Sequence, residues 1–298
     1  IETILNQTGV EVNLHIRDDG SNDRTKEILK TYAEKYDNVN ITFGEAAGVG
    51  KSFMSLLYSA EPADYYAFSD QDDIWDADKL WSAIQYIKEK AKITDPVLYC
   101  GNQKIVDSDR KFVALRLPEN YEDHGLMGGI LANGYAGCTM VMNHILWELL
   151  QDKKRRPKMQ FFDSRIHDEW IVAVAQAVGK VIYDPVSHME YRHHNSAFTS
   201  TDSLTSQKKY YKFKFYVKKI RQIKNRGFHK NGMRLTAENL LKFYPEFLNN
   251  DEKRKLLIMA NYKKSMKNKV ALLRSNMIRE CVKVNPEILI VRILLGVF

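Results

Sequence analysis

Tyr65-Tyr66-Ala67-Phe68-Ser69-Asp70-Gln71-Asp72-Asp73-Ile74-Trp75 joins an apolar, aromatic run directly to a turn holding three carboxylates. The first five residues read as a buried strand, Tyr65 to Ser69, and the acidic residues as the turn that leaves it. Oxygen donors so placed suit a hard cation such as Mg²⁺ or Mn²⁺, which is held by one or two carboxylates together with substrate phosphates. Aspartates in a turn also cap helices, here one starting near Asp76.

Upstream, the same arrangement occurs once more. Val12 to Arg17 reads as a strand and runs into Asp18-Asp19-Gly20-Ser21-Asn22-Asp23. A helical pattern follows from Thr25 to Tyr36, then a strand from Val39 to Phe43 and a helix from Ser52 to Ala60. This alternation of strand and helix predicts an α/β fold with a mostly parallel, Rossmann-like central sheet and flanking helices. Ligands of such sheets sit beyond the carboxyl ends of the strands, so both acidic turns can face one crevice. Asp, Gly, Ser and Asn are also ordinary turn residues, which leaves Asp18 and Asp19 open to a purely local role. The chain opens on Ile1 to Asn6, which looks like the end of a helix, and a sheet of this kind normally begins with a further strand; residues upstream are expected.

Gly48-Val49-Gly50-Lys51-Ser52 has a phosphate-loop flavour, but the nucleoside-triphosphatase pattern needs glycine at position 45, where Glu45 stands. A glycine-hinged turn with Lys51 near phosphate and a plain helix start both remain open. Downstream, strands are expected at Val97 to Cys100, Gly137 to Met142 and Lys180 to Tyr183, with a helix from about Ile145 to Leu150. His167-Asp168-Glu169-Trp170 opens a further helix, with apolar residues at Ile171, Val174, Ala175 and Val178. Asp168 is a candidate general base, although an acid in a first helical turn is also favourable for structural reasons. His188, His193 and His194 flank Met189-Glu190-Tyr191-Arg192, and His194 is a candidate metal ligand.

The 298 residues carry a formal net charge of +8, with 44% hydrophobic and 28% charged residues, enough for a large core without disulfides. Cys100, Cys138 and Cys281 are far apart and form no metal-binding spacing, which suits a reducing compartment. The charge is uneven: 22 basic residues face 31 acidic ones up to Asp202, and 23 face 6 beyond it, so an acidic body of net −9 precedes a basic tail of +17. We expect a catalytic domain over 1–202 and a basic helical region over 203–298. Basic residues alternate with Tyr and Phe from Lys208 to Arg226, and Ile288 to Leu295 is apolar but too short to span a bilayer. That pattern favours peripheral contact with an anionic membrane over a helical cap or an oligomer contact. The absence of any nucleic-acid module argues against nucleic acid as the partner.

Taken in order, Asp18-Asp19-Gly20-Ser21-Asn22-Asp23, Gly48-Val49-Gly50-Lys51, Ser69-Asp70-Gln71-Asp72-Asp73-Ile74-Trp75, Lys79-Leu80, Gly137-Cys138-Thr139 and His167-Asp168 resemble glycosyltransferase family 2. Asp-Gln-Asp-Asp-Ile-Trp and the later Tyr191-Arg192-His193-His194-Asn195 are similar to its rhamnosyltransferase-like members. The resemblance spans about residues 1 to 200. It implies a GT-A fold, a nucleoside-diphosphate-sugar donor, a divalent metal (Mn²⁺ or Mg²⁺) and a glycan or lipid-linked saccharide acceptor. It further implies nucleotide-sugar contacts from Asp18, Asp19, Lys51, Asp70 and Gln71, metal ligation by Asp72 and His194, and Asp168 as the base. The family's spacing around its late histidine is altered here, and its first strand is missing from this chain. The implied activity is inverting transfer, plausibly of L-rhamnose from dTDP-rhamnose, at the cytoplasmic face of a membrane during surface polysaccharide synthesis. A UDP-hexose or UDP-N-acetylhexosamine donor is the alternative.

Overall fold

A computed structural model describes residues 1–192, 231–278 and 286–298. After a one-turn helix α1 (Glu2–Leu5) the chain forms β1 (Leu14–Asp18), α2 (Thr25–Lys35), β2 (Val39–Phe43), α3 (Val49–Ser59) and β3 (Tyr65–Ala67). Then come β4 (Ile74–Trp75), α4 (Lys79–Lys90), β5 (Val97–Val106), β6 (Phe112–Leu115) and α5 (Gly125–Ala132). A 3₁₀ turn at Gly137–Thr139 leads into β7 (Met140–Asn143), α6 (His144–Gln151), a second 3₁₀ turn at Met159–Asp163, α7 (His167–Val178) and β8 (Lys180–Arg192). The C-terminal region adds α8 (Gly232–Phe243), α9 (Asn250–Asn261), α10 (Met266–Arg274) and α11 (Pro286–Leu294).

The expected α/β alternation is present, but the sheet is mixed. β1 and β2 pair in parallel, with Leu14 opposite Val39 and Asp18 opposite Phe43. A separate six-stranded sheet runs β3-β7-β5-β8-β4, with β6 on β5, and only its β5–β8 pair is parallel. The reason is local. β7 is entered through α5 and a 3₁₀ turn without a crossover back to the start of β5, so it returns antiparallel along β5. Gly137–Thr139, expected as strand, is that 3₁₀ turn. Among the described residues no strand pairs with the second edge of β1 or of β3.

β5 carries the architecture. Nine of its ten residues, all but Lys104, are buried, flanked by β7 on one side and β8 on the other, as expected of a strand covered on both faces. Asn143 fixes the junction at its start: its side chain accepts from Leu146 N–H to cap α6 and from Val97 N–H to hold β5.

α7 is buried all round from Trp170 to Ala175, not along one stripe. The sheet and α3 cover one side, and α8 from the C-terminal region covers another. Met233, Ala237, Leu240, Tyr244, Leu256, Met259, Leu272, Ile293 and Phe298 share one apolar core with Leu98, Met142 and Trp170. Arg155 secures the junction by donating to Phe243 O at 2.6 Å and pairing with Glu246 at 2.6 Å. The described part of the basic region is thus packed on the body as helices; Lys208 to Arg226 lie outside the described residues.

The turn from α7 into β8 allows no side chain. A Cβ on Gly179 would stand 2.0 Å from the carbonyl oxygen of Pro96, which itself accepts Lys180 N–H at 2.9 Å. Because that obstacle is backbone in the central strand pair, Gly179→Ala is expected to cost about 2–3 kcal/mol, the upper part of the overpacking range. A urea-unfolding midpoint unchanged from the parent protein would show that the β5–β8 register yields to a methyl group at this position.

Candidate active site

The two acidic turns behave differently. At the end of β1, Asp18 is buried and accepts N–H bonds from Gly20 at 3.2 Å and from Ser21 at 3.2 and 3.3 Å. The hydrogen bond with the Ser21 side chain holds its carboxyl below the usual range, with help from these backbone N–H groups and from Lys26, against the opposing effect of burial. Gly20, at φ +87°, makes the tight turn possible. Asp19 is committed to the frame: it pairs with Arg17 at 2.8 Å, accepts Ala47 N–H at 3.3 Å and accepts the Ser52 hydroxyl at the start of α3. Lys51, in the first turn of α3, makes an ion pair with Asp163 at 2.5 Å. No local pattern marks these partners in advance.

The second turn does not cap a helix. β3 ends at Ala67, and β4 separates the aspartates from α4, whose N-cap position is Asp78. Asp73 points inward, where its Oδ2 accepts Asp70 N–H at 3.2 Å, and Asp70, Asp73 and Cys138 bring ligand atoms within 4.8 Å of one another. Burial first, then the charge of Asp72, pushes the Asp70 carboxyl up to about 6. Burial and the charge of Asp70 push Asp73 up to about 7. Lys79 lies under this group, 4% exposed, with its amine 3.6 Å from the centre of the Trp75 ring; desolvation lowers it to about 8. Gln71 is exposed and Asp72 half-buried.

The late Tyr191-Arg192 segment reaches this turn, since Arg192 Nε donates to the Asp72 carbonyl at 2.7 Å. His194 lies outside the described residues. His188 is placed elsewhere, between Asp78 at 3.5 Å and Asp184 at 4.0 Å.

Asp168 and His167 open α7 close by. His167 is stacked on Phe53 at 4.2 Å and edge-on to Phe68 at 5.2 Å; desolvation lowers it to about 3, so it is a neutral packing residue. A Cβ on Gly137 would meet His167 Nε2 at 2.5 Å and Asp168 Cβ at 3.5 Å. Glycine there lets the N-terminus of α7 close onto the 3₁₀ turn whose next residue, Cys138, has its Sγ within 4.8 Å of carboxylate oxygens of Asp70 and Asp73. Asp168 is 9% exposed, accepts Glu169 N–H at 2.6 Å, and is pushed up to about 7, mainly by burial and then by the charge of Glu169.

Arg116, just past β6, is the residue that sequence reasoning missed. Its charge acts on both Asp70 and Asp168, lowering each, while its Nε donates to Gly134 O at 3.2 Å. The Arg116 guanidinium is thus within electrostatic reach of both the buried acid at the end of β3 and the one at the start of α7.

The profile of glycosyl transferase family 2 matches residues 1–150, half of the chain. The chain belongs to glycosyl transferase family 2. Among curated relatives it is similar to dTDP-rhamnosyl transferase RfbG of Shigella flexneri, 37% identical over 89 residues, covering 28% of this chain and 31% of that protein. It is also similar to the putative teichuronic acid biosynthesis glycosyltransferase TuaG of Bacillus subtilis, 28% identical over 146 residues, covering 48% of this chain and 54% of that one. The chain thus spans between about a third and about half the length of these two family members. Among solved structures, S. aureus TarS superposes over 100% of this chain and 47% of its own, with a TM-score of 0.51 at 17% identity. This likeness supports the GT-A fold of the family member described here.

Proposed function

We propose that the protein is a metal-dependent, inverting glycosyltransferase that moves a sugar from a nucleoside diphosphate to a saccharide acceptor. The observation that carries this reading is that Asp70, next to Asp72 in its turn, and Asp168 both lie within electrostatic reach of one guanidinium, Arg116. A pair of carboxylates at a strand end, with the charge of Asp72 raising the Asp70 carboxyl, offers the oxygen donors a hard divalent cation takes. The residues therefore fit Mn²⁺ or Mg²⁺, with Asp72 as the ligand this chain supplies and His194 as its proposed second. When bound, such an ion supplies Lewis-acid stabilisation of the departing diphosphate, worth several kcal/mol.

The protein's own groups divide the remaining work. Asp18 lies at the end of β1 as an ionised acceptor suited to the N–H of a pyrimidine, and Asp70 takes the ribose hydroxyls in this reading. Asp19 and Lys51 shape the loop around the nucleotide through Arg17, Ser52 and Asp163. Asp168 takes the proton of the acceptor hydroxyl as its oxygen bonds to the anomeric carbon. The bond from that carbon to the diphosphate breaks with its electron pair going to the phosphate oxygen. Attack from the face opposite the leaving group inverts the anomeric centre.

The similarity to RfbG supports dTDP-L-rhamnose as donor, and together with TuaG supports an acceptor in cell-surface polysaccharide synthesis. The basic C-terminal region supports peripheral attachment to the cytoplasmic face of a membrane; no helix of the described residues is long and apolar enough to cross one. Calorimetric titration with dTDP-rhamnose, UDP-glucose, UDP-galactose and UDP-N-acetylglucosamine, each with and without Mn²⁺, tests the reading. Mn²⁺-dependent binding of dTDP-rhamnose alone is expected. Preference for a UDP-sugar would replace the rhamnose assignment, and Mn²⁺-independent binding of every donor would overturn the metal role.

A further inference from the structure

Residues 253–274 hold eight Lys and Arg and no Asp or Glu. They form most of α9 and all of α10, whose inner faces bury Leu256, Met259 and Leu272 in the core. Their outer faces are apolar as well: Met266 is 71% exposed and Leu257 50%, with Val270 one helical turn beyond Met266. α11 continues this surface, because Lys269 Nζ donates to Leu294 O at 3.4 Å and the Leu294 side chain is 57% exposed. A groove of about 630 Å³ runs between α9 and α10, lined among others by Lys253, Arg254, Leu257 and Lys264. Arg254 and Lys255 share Asp251, whereas Lys253, Lys264 and Lys267 have no carboxylate at ion-pair distance among the described residues. Folding accounts for the inner stripe and leaves the outer one, an apolar ridge set among uncompensated lysines, without a structural use.

We propose that this α9–α10 ridge, with the end of α11, is the face that docks on an anionic lipid bilayer. Apolar side chains between lysines match a helix lying in the interface, with the apolar groups entering the acyl boundary and the ammonium groups meeting lipid phosphates. Nucleic acid would use the lysines but gain nothing from Leu257, Met266 and Val270, and Tyr262, the aromatic between α9 and α10, is buried in the core and offers no base a stacking surface. The proposal deepens the membrane-side placement given above and assigns it to folded helices of this chain.

The test is co-sedimentation of the full chain with vesicles containing phosphatidylglycerol and with vesicles of phosphatidylcholine alone. Binding to the anionic vesicles only, weakened by salt, is expected. The triple variant Lys253→Glu/Lys264→Glu/Lys267→Glu should lose at least roughly tenfold in vesicle affinity, and Met266→Ser/Val270→Ser should lose several-fold at unchanged salt sensitivity. Mn²⁺-dependent nucleotide-sugar binding, titrated on the same samples, should be unchanged, showing that the variants are folded. If donor binding is absent from the parent protein while lipid binding holds, the transferase reading fails and the docking face stands. Undiminished vesicle binding by the triple variant, no binding of the parent protein to anionic vesicles, or tighter binding to a single-stranded DNA oligonucleotide than to vesicles would overturn the docking face.

Discussion

Asp168→Asn is expected to lower turnover by about 10²- to 10⁴-fold, the contribution of a positioned general base, and at the same time to make the protein more stable above pH 7. Both effects have one cause. Burial raises the Asp168 carboxyl to about 7 from an ordinary 3.8, so the charge that catalysis needs is one the fold disfavours. A folded-state pKa above the unfolded one means that the native state binds the proton more tightly. The penalty is therefore complete above pH 7, shrinks as pH falls from 7 towards 3.8, and is absent below that. Three pH units correspond to at most about 4 kcal/mol. Asparagine removes the charge and keeps an oxygen to accept the Glu169 N–H. Urea midpoints at pH 8 and pH 5 read the stability, with the variant's advantage confined to the higher pH. For the parent enzyme, kcat/KM should fall tenfold per unit below about pH 7, as the base becomes protonated. An asparagine variant that is less stable at pH 8, or that transfers at the parent rate, would remove Asp168 from this role.

The conflict at Asp168 also marks the limit of what could be read in advance. Strand and helix alternation up to β3 followed from local pattern; Val39 to Phe43 matches β2 at both ends, because its neighbours are short turns with unambiguous residues. The antiparallel course of β7 did not follow, since a four-residue strand with three apolar residues has no direction of its own. Nor did the full burial of α7: its outer face is covered by α8, some sixty residues later in the chain, and no periodicity within α7 can announce that. In the site, the carboxylates stood out because two acidic turns follow two strands whose carboxyl ends can face one ligand site. Arg116 did not, being a single arginine after a short exposed strand whose relevance arises only when β6 folds back on β5. Asp19 and Lys51 were legible as residues near the nucleotide, but their partners Arg17, Ser52 and Asp163 come from three different elements or turns, and only the fold brings them together.

These partners distinguish neighbouring acids that sequence treats alike, and from that comes the second large effect. Asp72→Asn is expected to reduce Mn²⁺ affinity in the presence of nucleotide by roughly 100-fold or more, since even residues supporting a metal ligand are worth 10- to 100-fold. The thermal midpoint should move less than in Asp19→Asn, because Asp72 is half-buried and Arg192 on the Asp72 carbonyl and Asp73 on Asp70 N–H hold the backbone of the turn whatever the side chain. Asp19→Asn should do the reverse. Its carboxylate joins Arg17, Ala47 and Ser52, so stability falls by about 1–3 kcal/mol, the cost of leaving part-buried partners unpaired, while the Mn²⁺ dependence of binding persists. Mn²⁺ binding followed by electron paramagnetic resonance, with melting curves of both variants, separates the two. Equal Mn²⁺ affinity in Asp72→Asn and the parent protein would move the ion inward to Asp70, Asp73 and Cys138, whose ligand atoms lie within 4.8 Å of one another. There it would compete with the buried Lys79 for the charge of Asp73. That competition is why the outer position is the better one: Asp73 already has a cation in Lys79, whereas Asp72 is at the half-buried outer part of the turn.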